Sequence, residues 1–302
     1  MSTPFWPRKS PAFLRIRLAV RPFALGKPVI GVSGGPDSLA LVAAALAERV
    51  EAHAVIIDHG LQPGSETIAA QAARQVEQCG GTASIVRVDV ATHQGGLEAA
   101  ARHARYKALF HAADGAEIWV GHTMDDQAET LLLGALRGRV TGMQSRNGQL
   151  VRPLLGVRRS DTLEACRELG LAAWQDPHNQ DTRFRRVAIR QEIIPQLSEL
   201  IGGDCVPALA QAGEEAALTN SYVSEGIRVG DTLAVAELQV HPARRRQLIV
   251  AWLQHHNAQV TGATIRAIER LVTDWHGQGA VLVGAQSLAV RRIGGILSMS
   301  DH

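Results

Sequence analysis

A short loop near the start of the chain combines two glycines, two serines and a carboxylate. Its residues are Ser33, Gly34, Gly35, Pro36, Asp37 and Ser38, and an apolar run leads directly into it. Adjacent glycines let bare backbone N–H groups approach a phosphate, and a helix that begins at the loop adds the positive end of its dipole. The loop, which we call the glycine loop (residues 33–38), therefore predicts a site for a polyphosphate, bound by backbone groups and both serine hydroxyls.

The carboxylate of the glycine loop suggests a metal ion. No lysine follows the glycines, as one would in a Walker motif, so the site depends on other donors. A bound polyphosphate would repel Asp37 unless a divalent cation lay between them, which makes Asp37 a candidate Mg²⁺ ligand. The alternative is an ordinary strand-to-helix turn in which Asp37 only caps the helix.

Acidic residues cluster a second time between positions 121 and 130. This run contains His122, Asp125, Asp126 and Glu129, and it follows another short apolar segment. In a helix that begins near Asp125, Asp126 and Glu129 share one face, while Asp125 caps the end nearest the predicted site. Carboxylates beside a phosphate site indicate metal binding or a base for an incoming nucleophile. The alternative is that these acids only complement the helix dipole.

The elements that must position these residues form an alternating pattern. Apolar segments at 29–32, 54–57, 83–88 and 118–121 alternate with helical patterns at 38–50, 66–79, 97–113 and 125–136. Such alternation predicts an α/β fold with a doubly wound, mostly parallel sheet. Ligands bind such sheets beyond the carboxyl ends of the strands, so we expect the loops at 33–37, 58–60 and 122–126 to converge on one cleft.

The length of 302 residues suggests more than one domain. Residues 1–25 contain prolines and arginines but no acid, which predicts a basic N-terminal arm. Residues 26–198 form the predicted α/β domain. Residues 199–302 form a smaller, mainly helical domain, in which glycine-punctuated apolar runs between 280 and 299 indicate short strands.

Composition excludes several classes of protein. The net charge is +2, the hydrophobic content is 46%, and no apolar run is long enough to span a bilayer, so no membrane association is expected. The three cysteines lack paired spacing, which argues against a disulfide framework or a zinc or iron–sulfur site. These features favour a cytoplasmic protein.

The stretch from 137 to 190 is rich in arginine: it contains eleven arginines and five acidic residues. The planar guanidinium suits contacts with phosphates and bases. A charge run is more often a solvated surface, and the triplet at 244–246 in the second domain is open to the same two interpretations.

Five motifs, in order, resemble the tRNA(Ile)-lysidine synthetase family of PP-loop ATP pyrophosphatases. Together they cover about residues 29–195. They are the glycine loop; Asp58-His59-Gly60-Leu61; Glu98 to Arg102 with Arg105-Tyr106; His122 to Thr130 with Arg137-Gly138; and Arg152-Pro153-Leu154-Leu155 leading to Asp176-Pro177-His178-Asn179 and Arg186-Val187-Ala188-Ile189-Arg190.

The resemblance implies a two-step reaction on the wobble cytidine of tRNA(Ile) with a CAU anticodon. ATP adenylates the C2 oxygen of the base and releases pyrophosphate, and the ε-amine of free L-lysine then displaces AMP to give lysidine. It also implies ATP binding at the glycine loop, with Mg²⁺ at Asp37. The expected catalytic residues are Asp37, Asp125, Asp126, Arg102 and Arg105, and the expected lysine-binding residues are His122, Asp126 and Glu129.

For the RNA, the resemblance points to a flipped cytidine, which proteins recognise with aromatic or guanidinium groups. The expected tRNA-binding residues are Arg137, Arg183, Arg185, Arg186 and Arg190, with the second domain as a further tRNA-binding region. The chain resembles the short form of the family. It departs from the common pattern at Gln62, His178 and Val187, which leaves ATP activation intact and affects the expected RNA contacts. A homodimer is compatible with the sequence, although no motif in it requires one.

Three other functions remain open from the sequence. A tRNA-thiolating PP-loop enzyme would need a reactive cysteine pair or a cluster-binding set, which the spacing of the cysteines does not provide. An amidating enzyme such as an NAD or GMP synthetase would need an ammonia source or a different substrate domain. A nucleotide-binding protein without catalysis would not need the acids at 125, 126 and 129.

Overall fold

The computed structural model describes residues 6–7, 9–60, 64–89, 97–174, 176, 180–284 and 288–301, with the backbone alone at 97–99 and 301. The motif residues Leu61, Gln62, Pro177, His178 and Asn179 lie outside this description, as does the side chain of Glu98. The chain divides into two compact units, 1–129 with 144–210 and 130–143 with 211–302.

The first unit is built on a six-stranded sheet with the order β3-β2-β1-β4-β6-β5. All neighbouring pairs are parallel except β5 with β6. The strands are β1 (Val29–Val32), β2 (His53–Asp58), β3 (Thr82–Arg87), β4 (Ile118–Val120), β5 (Arg146–Asn147) and β6 (Leu150–Val151). The helices that accompany them are α1 (Pro11–Val20), α2 (Pro36–Ala47), α3 (Ser65–Gln78), α4 (Leu97–Ala113), α5 (Met124–Leu136) and α6 (Arg159–Leu169).

Helices cover both faces of the central strands, as the predicted doubly wound fold requires. On one face, Ile30 and Val32 of β1 join a core made largely by α1, α2, α3 and α6. On the other face, Val29 packs in a second core with Leu109 of α4. Because both faces are buried, β1 is a continuous apolar run with no polar alternation. The fold class and the order of strands and helices predicted between 29 and 136 are confirmed.

Helix α1 lies within the segment for which only a basic arm was predicted. Its buried side chains Ala12, Phe13, Ile16 and Val20 follow helical spacing and pack into the first core. The carboxylate of Glu168 accepts the backbone N–H groups of Ala12 at 3.0 Å and Phe13 at 2.8 Å. Glu168 thus satisfies two N–H groups that the first turn of a helix leaves without intrahelical partners. Pro11 is the first residue of this helix and Pro22 lies just after its end, so neither proline interrupts it.

A continuous helical segment begins within the last part of the arginine-rich stretch. It comprises α7 (Arg185–Ala188), a π-helical turn (Ile189–Ile193) and α8 (Ile194–Ile201). Single π turns are frequent at functional sites because they redirect side chains within a helix. Here the turn contains Arg190, which faces the acids described below.

The second unit combines helices with a small antiparallel sheet, in the order β7-β10-β9-β8. Its strands are β7 (Thr232–Ala234), β8 (Val281–Val283), β9 (Leu288–Ile293) and β10 (Ile296–Asp301), and its helices include α10 (Pro242–His255) and α11 (Gly262–Thr273). Helix α9 (Val206–Ser224) spans the boundary at residue 210. The core is centred on Trp252, Ile249 and Ile268. Among the described residues, no helix is both long and apolar enough to cross a bilayer.

Candidate active site

The glycine loop joins β1 to α2 and is held by its own hydroxyl groups. Ser38 Oγ donates to the carbonyl oxygen of Gly35 at 3.0 Å and accepts the backbone N–H of Ser33 at 3.2 Å. Pro36 occupies the first turn of α2, where its fixed φ favours helix initiation and its missing N–H costs no bond. The N-terminus of α2 therefore begins at the glycine loop, the arrangement that the predicted phosphate site requires.

Two glycines make this arrangement sterically possible. Gly34 has φ +81°, in the left-handed region that favours glycine, and its carbonyl accepts the N–H of Trp174 at 2.9 Å. At the end of β4, a Cβ on Gly121 would lie 2.9 Å from the backbone carbonyl of Asp37 and 3.0 Å from the backbone nitrogen of Ser38. Gly121 therefore allows the backbone after β4 to approach the start of α2 closely.

Helix α5 begins with a reciprocal cap made by Thr123 and Asp126. Asp126 Oδ2 accepts the backbone N–H and the hydroxyl of Thr123, both at 2.8 Å, and Thr123 Oγ1 accepts the N–H of Asp126 at 3.4 Å. This is the geometry of a capping box. The prediction that Asp125 caps this helix is wrong, because the residue three positions after Thr123 is the one that can fold back on it.

Asp125 instead stabilises the start of α6. Its Oδ2 accepts the backbone N–H of Arg159 at 2.8 Å, and both carboxylate oxygens accept from the Arg158 side chain at 3.2 Å. Arg158 also pairs with Asp204. A carboxylate at a helix N-terminus interacts favourably with the dipole. Asp125 thus connects α5 to α6, next to the acids of the site.

Arg159 is the residue around which the other acids are arranged. Its Nη2 donates to Asp126 Oδ1 at 2.7 Å, its Nη1 to Glu129 Oε1 at 3.2 Å, and its Nε to Asp37 Oδ2 at 3.4 Å. One guanidinium therefore contacts acids from α2 and α5 at once. We call Asp37, Asp126 and Glu129 the acid cluster.

Glu129 is fully buried and receives further cations from the helical segment after 185. Arg190 Nε donates to Glu129 Oε1 at 2.7 Å, and Arg186 Nη1 lies 3.5 Å from Glu129 Oε2. Burying a carboxylate is costly unless it is paired, and here several guanidiniums supply that pairing. Arg186 and Arg190, expected from sequence to bind tRNA, are thus placed against the acid cluster.

The carboxylates of the acid cluster differ in proton affinity. Burial raises the pKa of Asp37, an effect that Arg159 and Thr162 only partly offset. Burial would also raise the pKa of Asp126, but Arg159, His122 and the two bonds from Thr123 lower it to about 2. Asp126 is therefore ionised at neutral pH, whereas Asp37 lies closer to the range in which a carboxylate can exchange a proton.

His122 lies between the acid cluster and a group of arginines. Burial, reinforced by Arg152, Arg102 and Arg105, lowers its pKa to about 3 although Asp126 acts in the opposite direction. Its Nδ1 is buried without a hydrogen-bond partner. The imidazole is consequently neutral at physiological pH, so it can offer a hydrogen bond to a ligand but no positive charge.

Helix α4 places two arginines on this side of the site. Arg102 and Arg105 both stack on the ring of Tyr106, with guanidinium-to-centroid distances of 5.0 and 5.4 Å. Burial lowers the pKa of Arg105. Arg105 also acts electrostatically on His59, and Arg102 and Arg105 both act on His122, so the motif residues of α4 face the loops after β2 and β4.

The other arginines expected to bind tRNA are exposed or lie in the second unit. Arg183 pairs with Asp181 at 2.7 Å with 90% of its side chain exposed, and Arg185 is exposed as well. Arg137 belongs to the second unit, where its carbonyl accepts the N–H of Gly262 at 3.0 Å.

The carboxylates beside the glycine loop can be compared with those that bind a magnesium ion at a phosphate site. Within the described residues, no group of three or more His, Cys, Asp or Glu side chains is arranged to hold a metal. Mg²⁺ at phosphate sites commonly uses only one or two protein carboxylates together with phosphate oxygens and water. Asp37 and Asp126 are hard-oxygen candidates beside the glycine loop, and each would have to exchange its contact with Arg159 for the ion.

Sequence reasoning did not single out Arg158, Arg159 or Thr162. Thr162 is fully buried and its hydroxyl donates to Asp37 Oδ1. All three belong to the start of α6, shortly after the Arg152-Pro153-Leu154-Leu155 motif. The paired arginines were visible in the sequence, but their pattern is also that of a solvated helix end. Only the packing of α6 against α2 distinguishes the two.

The fold and the site together define a nucleotide-binding α/β protein of the PP-loop class. The family model described as a PP-loop domain matches residues 13–197, which include the glycine loop, the acid cluster and most of α1.

Relatives narrow this class to one family. The tRNA(Ile)-lysidine synthase of Corynebacterium glutamicum is 47% identical over 98% of this chain and 97% of its own length. The corresponding enzyme of Corynebacterium diphtheriae is 51% identical over 98% and 99%. The chain belongs to the tRNA(Ile)-lysidine synthase family. The resemblance predicted from the five motifs, and the assignment to the ligases that form C–N bonds, are confirmed.

A solved structure supports the fold over a larger evolutionary distance. The U34-tRNA thiolase NcsA from Methanococcus maripaludis, determined with its [4Fe-4S] cluster, matches with a TM-score of 0.56 at 18% identity. The match covers 73% of this chain and 82% of the thiolase. At this identity the likeness concerns the fold alone.

Proposed function

We propose that this protein converts the wobble cytidine of tRNA(Ile) with a CAU anticodon to lysidine in two steps, using ATP and free L-lysine. The observation that carries the proposal is the contact of one guanidinium, that of Arg159, with both Asp37 beside the glycine loop and Asp126 and Glu129 on α5. A phosphate site and a site for a cationic amine are thereby adjacent, which is what adenylation followed by amine attack requires.

In the first step, the glycine loop binds the phosphates of ATP while the C2 oxygen of the cytosine attacks the α-phosphorus. The base oxygen forms a bond to phosphorus, and the bond to the pyrophosphate oxygen breaks. Backbone N–H groups at the start of α2 and the hydroxyls of Ser33 and Ser38 hold the phosphates. Arg102 and Arg105 of α4 neutralise charge that develops on the leaving group. Mg²⁺ bound at Asp37 would supply further neutralisation of the phosphates.

In the second step, the lysine ε-amine attacks C2 and AMP leaves with the former C2 oxygen. The acid cluster suits the positively charged lysine, because it brings three carboxylates together and holds Asp126 ionised. The ε-ammonium must lose a proton before it can attack. Asp37, whose pKa burial raises, is suited to accept that proton when no metal ion is bound to it. His122 contributes a neutral hydrogen-bonding group, and Asp125 positions α6.

For the RNA, we propose that the exposed side chains of Arg183 and Arg185, with Arg137, guide the anticodon stem-loop to the cleft. Arg186 and Arg190, which contact Glu129, line the path of the RNA into the cleft on that side.

We propose that the chain comprises a basic segment at 1–25, a catalytic region at 26–198 and a tRNA-binding region at 199–302. ATP, lysine and tRNA are cytoplasmic, and we place the reaction there. A homodimer is compatible with this proposal, and sedimentation velocity tests whether one forms.

The properties of two buried cysteines argue against tRNA thiolation as the function. Burial raises the pKa of Cys79 to about 11 and that of Cys166 to about 12. Sulfur-transfer chemistry needs an accessible thiolate, and buried thiols with raised pKa values are poor nucleophiles.

The test is incorporation of radiolabelled lysine into a tRNA(Ile) transcript in the presence of ATP and Mg²⁺. We expect labelling of the CAU transcript, none when the wobble C is replaced by U, and none with Asp37→Ala. Arg167→Gln serves as the matched control, because Arg167 is exposed and pairs with Glu164 of the same helix. Labelling of the U-containing transcript, or full activity of Asp37→Ala, would contradict the proposal.

A further inference from the structure

Arg152 is a buried cation that lacks a compensating acid among the described residues. It directly follows β6, and only 7% of the residue is exposed. Its Nη1 donates to the carbonyl oxygen of Gln144 at 2.7 Å, whereas its Nε has no hydrogen-bond partner. Within the described part of the chain, no carboxylate forms an ion pair with it. Because burying an unpaired charge is costly, such an arrangement is retained where a ligand completes it.

The groups around Arg152 are cationic or lack partners as well. Arg102 acts on it electrostatically, and Arg102, Arg105 and Arg152 all act on His122. Neither Arg102 nor Arg105 pairs with a carboxylate among the described side chains. Burial lowers the pKa of both Arg105 and Arg152.

Two neutral histidines add unpaired ring nitrogens to the same place. The Nδ1 atoms of His59 and His122 are buried and have no hydrogen-bond partner. Burial, reinforced by Arg105, lowers the pKa of His59 despite the neighbouring Asp58. We call Arg102, Arg105 and Arg152 the cationic cluster, and the two neutral imidazole rings lie beside it. It is rich in donors and poor in acceptors, which is the composition of a site for an oxyanion with several oxygens.

The topology places the cationic cluster at the same edge of the sheet as the glycine loop. In the sheet, β4 lies between β1 and β6, and all three run parallel. The glycine loop, His122 and Arg152 follow these three strands in turn, at the same edge of the sheet. The acid cluster forms ion pairs with Arg159, Arg186 and Arg190, and none of its described contacts supplies the counter-charge that Arg152 lacks.

We propose that Arg152, together with Arg102 and Arg105, builds a phosphate-binding subsite distinct from the glycine loop. This inference rests on the proposed function for the origin of its ligand. A phosphate group can arrive there from two sources, the pyrophosphate released from ATP or a backbone phosphate of the tRNA next to the wobble base. The same oxyanion chemistry serves both, and the experiment distinguishes them.

The first test compares Arg152→Gln and Arg152→Lys with Arg146→Gln. Arg146 is a matched control from the adjacent strand β5, because its guanidinium is already paired with Glu117. The affinity for inorganic pyrophosphate is measured by calorimetry, and that for an anticodon stem-loop RNA by filter binding. We expect Arg152→Gln to weaken one of the two about ten-fold, the size of one charge-assisted hydrogen bond. Arg152→Lys should weaken it less, and Arg146→Gln should leave it unchanged.

Loss of pyrophosphate affinity identifies ATP as the source, and loss of RNA affinity identifies the tRNA backbone. If Arg152→Gln folds and binds both ligands as tightly as the wild type, the inference is wrong. Neither measurement requires lysine transfer, so failure of the proposed function does not affect it.

The second test needs no variant and covers the case in which the substitutions prevent folding. Crystals of the wild-type protein are soaked in tungstate, and its anomalous signal is located. We expect one peak at the glycine loop and a second within hydrogen-bonding distance of the Arg152 guanidinium. A peak at the glycine loop alone would show that the soak succeeded and that the proposed subsite does not bind oxyanions.

Discussion

Arg159 donates from Nη2 to Oδ1 of Asp126 over 2.7 Å, while the other oxygen of Asp126 closes the capping box at the start of α5. A single carboxylate thus fixes both the beginning of α5 and the orientation of the guanidinium. The remaining nitrogens of Arg159 reach Glu129 and Asp37. The geometry of the acid cluster therefore depends on one side chain contributed by a third helix.

Replacement of Arg159 by glutamine should lower lysine transfer about 100-fold, the effect typical of a misplaced reacting group. It leaves three neighbouring carboxylates without the cation that they share, so we expect both a higher KM for lysine and a lower kcat. Arg159→Lys should recover little, because one ammonium cannot match the three-nitrogen fork. Steady-state kinetics with Arg167→Gln from the same helix as the control test this. Wild-type kinetics of Arg159→Gln would refute the assigned role.

Replacement of Thr162 by valine should shift the pH dependence of activity. The hydroxyl of Thr162 donates to Asp37 and lowers its pKa, whereas burial raises it. Removing the hydroxyl at nearly constant volume leaves the burial effect, so the pKa of Asp37 rises further. Since the ionised carboxylate is the active form, the acid limb of the pH–rate profile should move to higher pH. Thr162→Ser, which keeps the hydroxyl, should retain the wild-type limb. An unshifted profile for the valine variant would exclude this coupling.

His122 should make the folded state sensitive to acid. The unfolded chain takes up a proton near the ordinary pKa of 6.5, whereas the folded imidazole stays neutral down to about 3. The stability linked to His122 is therefore complete above pH 6.5 and is lost as the pH falls from 6.5 to 3, by up to about 1.4 kcal/mol per pH unit. Urea denaturation across this range should give a flatter profile for His122→Asn. The exposed His111 on α4 provides the control, and His111→Asn should keep the wild-type slope.

Gly121 should tolerate no side chain. A Cβ at this position would meet the backbone of Asp37 at 2.9 Å, and backbone atoms cannot move aside as the end of a flexible side chain can. Gly121→Ala should therefore displace the start of α2 and weaken ATP binding by at least about ten-fold. Gly156→Ala is the matched control, because no heavy atom lies within 4 Å of a Cβ there. Equal ATP affinity for the two variants, measured by calorimetry, would show that the close approach is unimportant.

Local patterns in the sequence were sufficient to predict strands β1 to β4 and the loops after three of them, whereas β5 and β6 were not predicted. The apolar runs at 29–32 and 118–121 indicated buried parallel strands, and the residues that follow each run had to meet at the carboxyl edge. The glycine loop was recognisable because its phosphate-binding groups are contiguous in sequence. Side-chain periodicity and backbone propensity act over a few residues, so a linear chain displays them directly.

Tertiary structure decided the partners of those residues. The contacts of Arg159 with Asp37 and of Glu168 with the first turn of α1 join positions more than 120 residues apart, and no local spacing encodes them. Likewise, Asp125 and Asp126 are adjacent acids in sequence, yet one caps α6 and the other caps α5. The sequence determined which groups reach the edge of the sheet. The position of α6 next to α2 and α5 decided which charges pair there. The strength of an ion pair depends on the distance between its charges, and only the folded chain defines that distance.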